Sequence, residues 1–467
     1  MQLLFQILVF SITPFVVRGS CESQYLPNRF SVTCTNFTFR NVSIEPTYNE
    51  LKWNYTKSIT INESAVPVFK SDLSFTKLIN FSVAVFSDIG INVIEQHAFS
   101  KMPNLTNLFL SNNNINRISI GIFDNLKKLK KLDLSNNSIS VIEADSFLNS
   151  SITLLNISLN HLTFSEGFSS MTKLTVLDFS QNNLSSFDLS QTPDKLKTLI
   201  LGNNNVKKFT GSRNKMLTIS TLILTKNSIQ NLEPLPLKNF NNLAKLYLNR
   251  NDISSLPTGY FSDLLSLCHL DLSYNKLTVI PTGTFDTLGH LQTLILSHNN
   301  IKIIEETNLH NLYDLSQLYI DHNRLITLNL NALMKPDKHL KNVWLDSNRF
   351  SCEFLSQLIE KTILSNIEVA NGENFNSSNV NGNKCYRDQT DNDYSFYKSN
   401  RLPIIFGGLA GVVFVLSIPW CVRYYIGTRS GRSLVEEMEM DPSETSRPYG
   451  STFSNPSMND SSPYSNI

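Results

Sequence analysis

Charge is scarce in this chain of 467 residues. Charged side chains make up 17% of it, against roughly 25% in an average soluble protein. The two signs nearly cancel, with 40 basic residues against 39 acidic ones. That balance excludes a strongly basic nucleic-acid binder and an acidic disordered chain. Catalytic signatures are missing too. There is no glycine-rich phosphate loop, no G-x-S-x-G elbow and no H-E-x-x-H motif, so nothing points to an enzyme. No metal or other cofactor is expected. Cysteine is limited to six residues. Asparagine takes the place of the missing charge, at about 12% of the chain, an excess that average composition does not explain.

Two long apolar runs stand at the ends. Residues 2–17 read QLLFQILVFSITPFVV, which fits the core of a signal peptide and is too short for a membrane span. Its leading segment lacks Lys and Arg. Val17 and Gly19 suit the cleavage positions, so 1–19 is assigned as the signal peptide. Residues 402–422 form an uncharged 21-residue run, long enough to cross about 30 Å of hydrocarbon. Trp420, Tyr424 and Tyr425 sit where an interfacial aromatic belt would fall, and Arg423, Arg429 and Arg432 follow. The expected placement is the plasma membrane, single-pass type I, with the N-terminus outside and endosomal cycling as an option. The 45 polar residues after the span exclude a glycolipid anchor.

Between these runs the chain repeats itself. LTNLFLSNNNI begins at Leu105, LKKLDLSNNSI at Leu129, LAKLYLNRNDI at Leu243 and LQTLILSHNNI at Leu291. Eleven units follow the pattern L-x-x-L-x-L-x-x-N-x-L. Their key asparagines are Asn113, Asn137, Asn160, Asn182, Asn204, Asn227, Asn251, Asn275, Asn299, Asn323 and Asn348, at steps of 22 to 25 residues. Two weaker units precede them, with Ser64 and Ile89 at the Asn position. A fixed period of this length marks a stacked array. Each L-x-L is a short strand with leucines inward. The turn after it exposes backbone groups without a sheet partner, and a buried Asn amide both donates and accepts. Stacked turns therefore predict an asparagine ladder, which accounts for the composition. The Asp and Ser of L-D-L-S recur because the turn favours them.

Most repeats carry an apolar anchor eight residues past the motif: Phe99, Phe123, Phe147, Phe261, Phe285, Leu309 and Leu333. Residues 162–229 break that register in shorter repeats, and a local change of curvature is expected there.

The pattern resembles the leucine-rich repeat. That resemblance implies an α/β solenoid, a horseshoe with a parallel concave β-sheet, disulfide caps and one transmembrane helix. The domains are then 1–19 signal peptide, 20–57 N-terminal cap, 58–350 about thirteen repeats, 351–390 C-terminal cap, 391–401 stalk, 402–422 span and 423–467 disordered tail. Cys21 and Cys34, and Cys352 and Cys385, look like the cysteines of such caps. The second cap carries one pair where the usual one has four cysteines, which is similar to caps in insect leucine-rich immune proteins. Cys268 reads either as a buried inert thiol or as an interchain bridge, and Cys421 as a palmitoylation site or a plain membrane residue.

Ahead of the second apolar run, eleven N-x-S/T sequons begin at Asn36, Asn41, Asn54, Asn62, Asn80, Asn104, Asn136, Asn149, Asn156, Asn183 and Asn376. None falls between the last two, although that half is equally rich in Asn. The residue between the strand leucines faces outward from the sheet. Along the chain it is Phe109, Asp133, Asn156, Asp178, Ile200, Ile223, Tyr247, Asp271, Ile295, Tyr319 and Trp344. The early positions are mostly polar and the later ones mostly apolar or aromatic. Arg250, Tyr274, His298 and His322 lie two positions past the last strand leucine. Ile200, Ile223, Tyr247, Arg250, Tyr274, Ile295, His298, Tyr319, His322 and Trp344 are thus the predicted ligand-binding set, a sequon-free patch of hot-spot residue types. His298 and His322, beside Asp321 and Asp346, have the chemistry of a pH sensor or metal site, but His is also an ordinary residue before this Asn.

The tail ends in Tyr464-Ser465-Asn466-Ile467. This is similar both to a Y-x-x-Φ clathrin-adaptor signal and to a C-terminal PDZ ligand. The whole chain resembles leucine-rich single-pass receptors, with an ectodomain like those of Toll-like receptors and insect immune proteins but no cytoplasmic signalling domain. The resemblance implies a cell-surface receptor or co-receptor that binds protein or glycan on the concave face, in innate immunity. A membrane co-receptor or a homodimer would complete it, and nucleic acid is not a partner. The alternative is an adhesion protein tethered through the PDZ ligand.

Overall fold

The computed structural model describes residues 20–26, 29–35, 56–62, 66–69, 81–210, 217–233, 235, 237–370 and 379–386. The signal segment, stalk, membrane segment, Cys421 and tail, with Tyr464, Ser465 and Ile467, lie outside them. Among the described residues no helix is long and apolar enough to cross a membrane. They belong to one compact unit, Met1–Arg401.

The L-x-L segments form three-residue strands, from Asn107–Phe109 through Asn342–Trp344, each parallel to the next. They join a 16-stranded sheet. Alternation within each strand buries the central residue and leaves its neighbours on the outer face. Leu108, Leu132, Leu155, Leu177, Leu199, Leu222, Leu246, Leu270, Leu294 and Leu318 are all 0% exposed. Fully burying a leucine stabilises a fold by about 1.5–3 kcal/mol, and here every repeat contributes several. Backbone pairing continues past the strands into the turns. Leu248 donates to Asp271 O (2.8 Å) and Arg250 to Ser273 O (2.9 Å).

The asparagine ladder is present in all eleven units. Asn113 accepts from Ile89 N (3.1 Å) and Ile91 N (3.0 Å) and donates to Phe86 O, Leu110 O and Ser111 O. Each later Asn spans its own turn and the preceding one in the same way, through Asn348. Ile89, fully buried, supplies only a backbone donor, so the described ladder begins at Asn113.

Opposite the sheet runs a file of phenylalanines. Phe99, Phe123, Phe147 and Phe168 stack with ring centres 5.7–6.2 Å apart. All seven predicted anchors are buried, at 5% exposure or less. In the shorter repeats the file passes through Phe179, Phe187 and Phe209, and the rings meet edge-on at 75–82°. There Ser186–Asp188 and Lys208–Thr210 form a parallel ladder of their own. The shorter repeats thus return through a strand and switch from stacked to edge-on ring contacts.

Both ends carry extra structure. At the start, Ser20–Leu26 pairs antiparallel with Arg29–Thr35, which pairs parallel with Thr56–Asn62. Cys21 lies directly opposite Cys34 in that register, and opposite residues of an antiparallel pair have Cα atoms about 4.5–5.5 Å apart, within disulfide range. At the other end, helix Cys352–Leu364 buries Leu355, Leu358 and Ile359 over the last repeat. Ser351 caps it by accepting from Phe354 N (3.2 Å). A disulfide joins Cys352 to Cys385, as the cap resemblance implies. Cys268, 8% exposed, is also disulfide-bonded. Its expected burial holds.

Candidate ligand-binding face

The outward residues form one unbroken cross-strand file. Register pairs Phe109 with Asp133, Asp133 with Asn156, and Asn156 with Asp178. It continues through Ile200, Ile223, Tyr247, Asp271, Ile295 and Tyr319 to Trp344. Neighbouring strands lie about 4.8 Å apart, so successive side chains touch. The polar positions of the file have a structural task. Asp133, Asn156, Asp178 and Asp271 each accept from the backbone N–H two residues on, at 2.8–3.0 Å.

Of the ten predicted contact residues, eight are partly exposed and His322 is exposed. Ile295 departs from the prediction, since only 2% of its surface is open. It is a short side chain flanked in register by Asp271 and the taller Tyr319, which cover it.

The aromatic groups assemble into stacks. Tyr319 and Trp344 lie face to face, 3.7 Å between centres and 10° between planes. A second stack follows the turns. Arg250 sits 4.6 Å over Tyr274, Tyr274 lies 4.0 Å from His298, and His298 lies 4.0 Å from His322. These residues share a left-handed backbone, with φ of 51–57°. The position before every ladder Asn has this conformation, from Asn112 to Ser347. Chain geometry therefore aims their side chains alike in successive repeats.

Sequence reasoning missed His269, one strand position before Leu270 and on the same face as Asp271. Its ring leans on Tyr247 at 4.8 Å, and its Nε2 is buried without a hydrogen-bond partner. Burial, with Lys245 nearby, holds its pKa down at about 4. Burial pushes Asp271 up to about 6 against the opposing pull of Ser273 and Arg250, and pushes Tyr247 up to about 12. Period-2 reading places a second file two residues before the first, and that pattern would have found His269.

Asp346 lies beside His322, whose N–H donates to its carbonyl oxygen (2.8 Å), but its side chain turns to the cap. Its carboxylate accepts from Lys384 N (2.7 Å) and Ser347 Oγ (3.0 Å), so it ties the last repeat to the cap. Among the sequon residues, Asn136, Asn149 and Asn183 are exposed, while Asn104 and Asn156 are half-buried. Asn62 lies in a described strand, and Asn36, Asn41, Asn54, Asn80 and Asn376 lie outside the described residues.

The model for the leucine-rich repeat matches residues 87–139, 103–162, 127–184, 218–277 and 266–325. The array is built of leucine-rich repeats. The gap between these matches, 185–217, falls in the shorter leucine-rich repeats where the phenylalanine file turns edge-on. No curated protein matches the sequence. Solved structures share the fold. The leucine-rich repeat domain of APL1 is 23% identical, covering 77% of this chain and 98% of that one at a TM-score of 0.56. The LRIM1/APL1C complex is 22% identical, covering 77% and 69% at 0.59. The Drosophila Toll–Spatzle complex is 15% identical, covering 75% and 64% at 0.52. Residues 87–184 and 218–325 thus consist of leucine-rich repeats, and the fold is similar to those of the APL1, LRIM1/APL1C and Toll structures.

Proposed function

We propose that this chain is a cell-surface recognition receptor or co-receptor of innate immunity, and that it captures a protein ligand through the later half of the sheet face. The observation that carries the reading is the pair of aromatic stacks. Tyr319 on Trp344, and the column from Arg250 to His322, present rigid, partly open rings. Such residues dominate the energetics of protein interfaces, because rings bury large areas at small entropic cost. The same half of the array lacks sequons from Asn183 to Asn376, so it would stay free of attached glycans. The assemblies of LRIM1 with APL1C and of Toll with Spatzle support a protein as the ligand. The apolar runs at 1–19 and 402–422 support a type I membrane placement.

The test is capture of cell-surface proteins by the purified full-length chain. Replacing Tyr247, Tyr319 and Trp344 together with Ala is expected to weaken capture by more than about 100-fold, from losses of at least about 2 kcal/mol at hot spots. Retained capture would move the site elsewhere. The exposed aliphatic strip of Val279, Ile303 and Ile326, 56–62% open, is where it would then be sought.

A further inference from the structure

We propose that His298, Asp321 and His322 form a site for a divalent transition metal of the zinc class. The site shares His298 and His322 with the proposed capture face, but the inference does not depend on protein capture, and its test needs no protein ligand. Repeat geometry creates the arrangement. His298 and His322 occupy the same left-handed slot in adjacent repeats, φ 54° and 51°, and their rings stack 4.0 Å apart. Asp321 completes the group from the residue before His322. One ligand atom from each of the three lies within 4.8 Å of the others, and among the described residues no other set of three converges in this way.

The spacing suits zinc. Bonds of about 2.0–2.2 Å to nitrogen and oxygen put adjacent ligand atoms roughly 3.0–3.5 Å apart in tetrahedral or octahedral shells. His322 Nδ1 and Asp321 Oδ2 are already 2.9 Å apart. The His298 ring has to tilt so that its nitrogen closes the remaining separation. That tilt loosens the His298 stacking on Tyr274 and His322, a loss that the bonds to the metal have to offset. The other carboxylate oxygen, Oδ1, accepts from Ser297 Oγ, and such outer partners orient a ligating carboxylate. Two imidazoles and one carboxylate favour borderline metals, whereas calcium and magnesium take mostly oxygen ligands. The His322 side chain is 45% exposed, so further coordination positions open to solvent.

A second histidine–aspartate group serves as a control. His290 Nδ1 lies 2.9 Å from Asp314 Oδ2, and His339 Nδ1 lies 3.8 Å from Asp314 Oδ1. Those histidines approach different oxygens of the carboxylate.

The experiment is calorimetric titration of the purified full-length chain with zinc chloride. The variants are His298→Asn, His322→Asn and the control His290→Asn. Asparagine already fills the same left-handed slot at Asn112, Asn136 and Asn203, so the first two substitutions suit the fold. The expected result is one zinc equivalent for the unaltered chain, at least tenfold weaker binding in either of the first two variants, and no change in the control. Copper(II) bound to the unaltered chain should show an electron-paramagnetic signature of two nitrogen ligands. An unaltered chain that takes no zinc, or a His298→Asn/His322→Asn double variant that binds as tightly as the unaltered chain, overturns the proposal.

Discussion

At Asn275 one side-chain amide meets four backbone groups. It accepts from Ile253 N at 3.0 Å and donates to Leu248 O, Leu272 O and Ser273 O at 3.0–3.1 Å. An alanine there would leave several buried groups without partners, at about 1–3 kcal/mol each. Asn275→Ala is therefore expected to destabilise the array by about 3–5 kcal/mol, read as a drop in the urea midpoint. A loss below about 1 kcal/mol would mean that water satisfies the turn. Asp271 makes a different prediction. Its carboxyl titrates near 6 in the fold and near 3.9 in an unfolded chain, because burial penalises the charged form. Folding is thus favoured by this group below about pH 4, and that contribution is lost as pH rises through 6. Asp271→Asn should abolish this part of the pH dependence and raise stability at pH 7.4 relative to pH 4. Equal pH profiles for the two chains would contradict the assignment. The ladder and the outward file were legible at this scale because both obey strict periods. Burial of Ile295 was not, since it depends on the height of the neighbouring side chain.

Elements in this molecule are short, and their stability comes from what they lean on. No three-residue strand of the main sheet, such as Thr293–Ile295, stands alone; each is held by neighbours on both sides. The end of the array has no next repeat, so the helix Cys352–Leu364 covers it. The disulfide from Cys352 to Cys385 closes a span of 33 residues, worth about 3–4 kcal/mol on the chain-entropy model. Cys385→Ser should lower stability by about that amount and first expose amides of Gln317–Tyr319 and Asn342–Trp344 to hydrogen exchange. Uniform exchange along the array would deny the cap its role as a lid. The cap cysteines were readable from their position after the last repeat. The hairpin Asn379–Val380/Asn383–Lys384 beside them turns through Asn381 and Gly382, both with positive φ, an Asn-Gly signal that marks such turns. The path through the shorter repeats was not readable. Phe179, Phe187 and Phe209 depart from the eight-residue spacing, and only packing shows that they continue the same file.

Across the whole array each repeat touches only its neighbours, so properties vary along its length. The early repeats use their outward positions to cap turns, through Asp133, Asn156 and Asp178. The later repeats present Tyr247, Tyr319 and Trp344 instead. Those chemistries could be read from the sequence once the period was known. Their face-to-face stacking could not, because it depends on side-chain rotamers in adjacent repeats. The central claim is that recognition is confined to the later half of the sheet face. Its most direct test is photo-crosslinking on living cells. A photoreactive phenylalanine analogue would replace Tyr247, Tyr319 or, at the early end, Asp133 in turn. Adducts of higher mass from the first two positions and none from the third are predicted. Adducts from Asp133 alone, or from none of the three while ligand capture persists, would contradict the account.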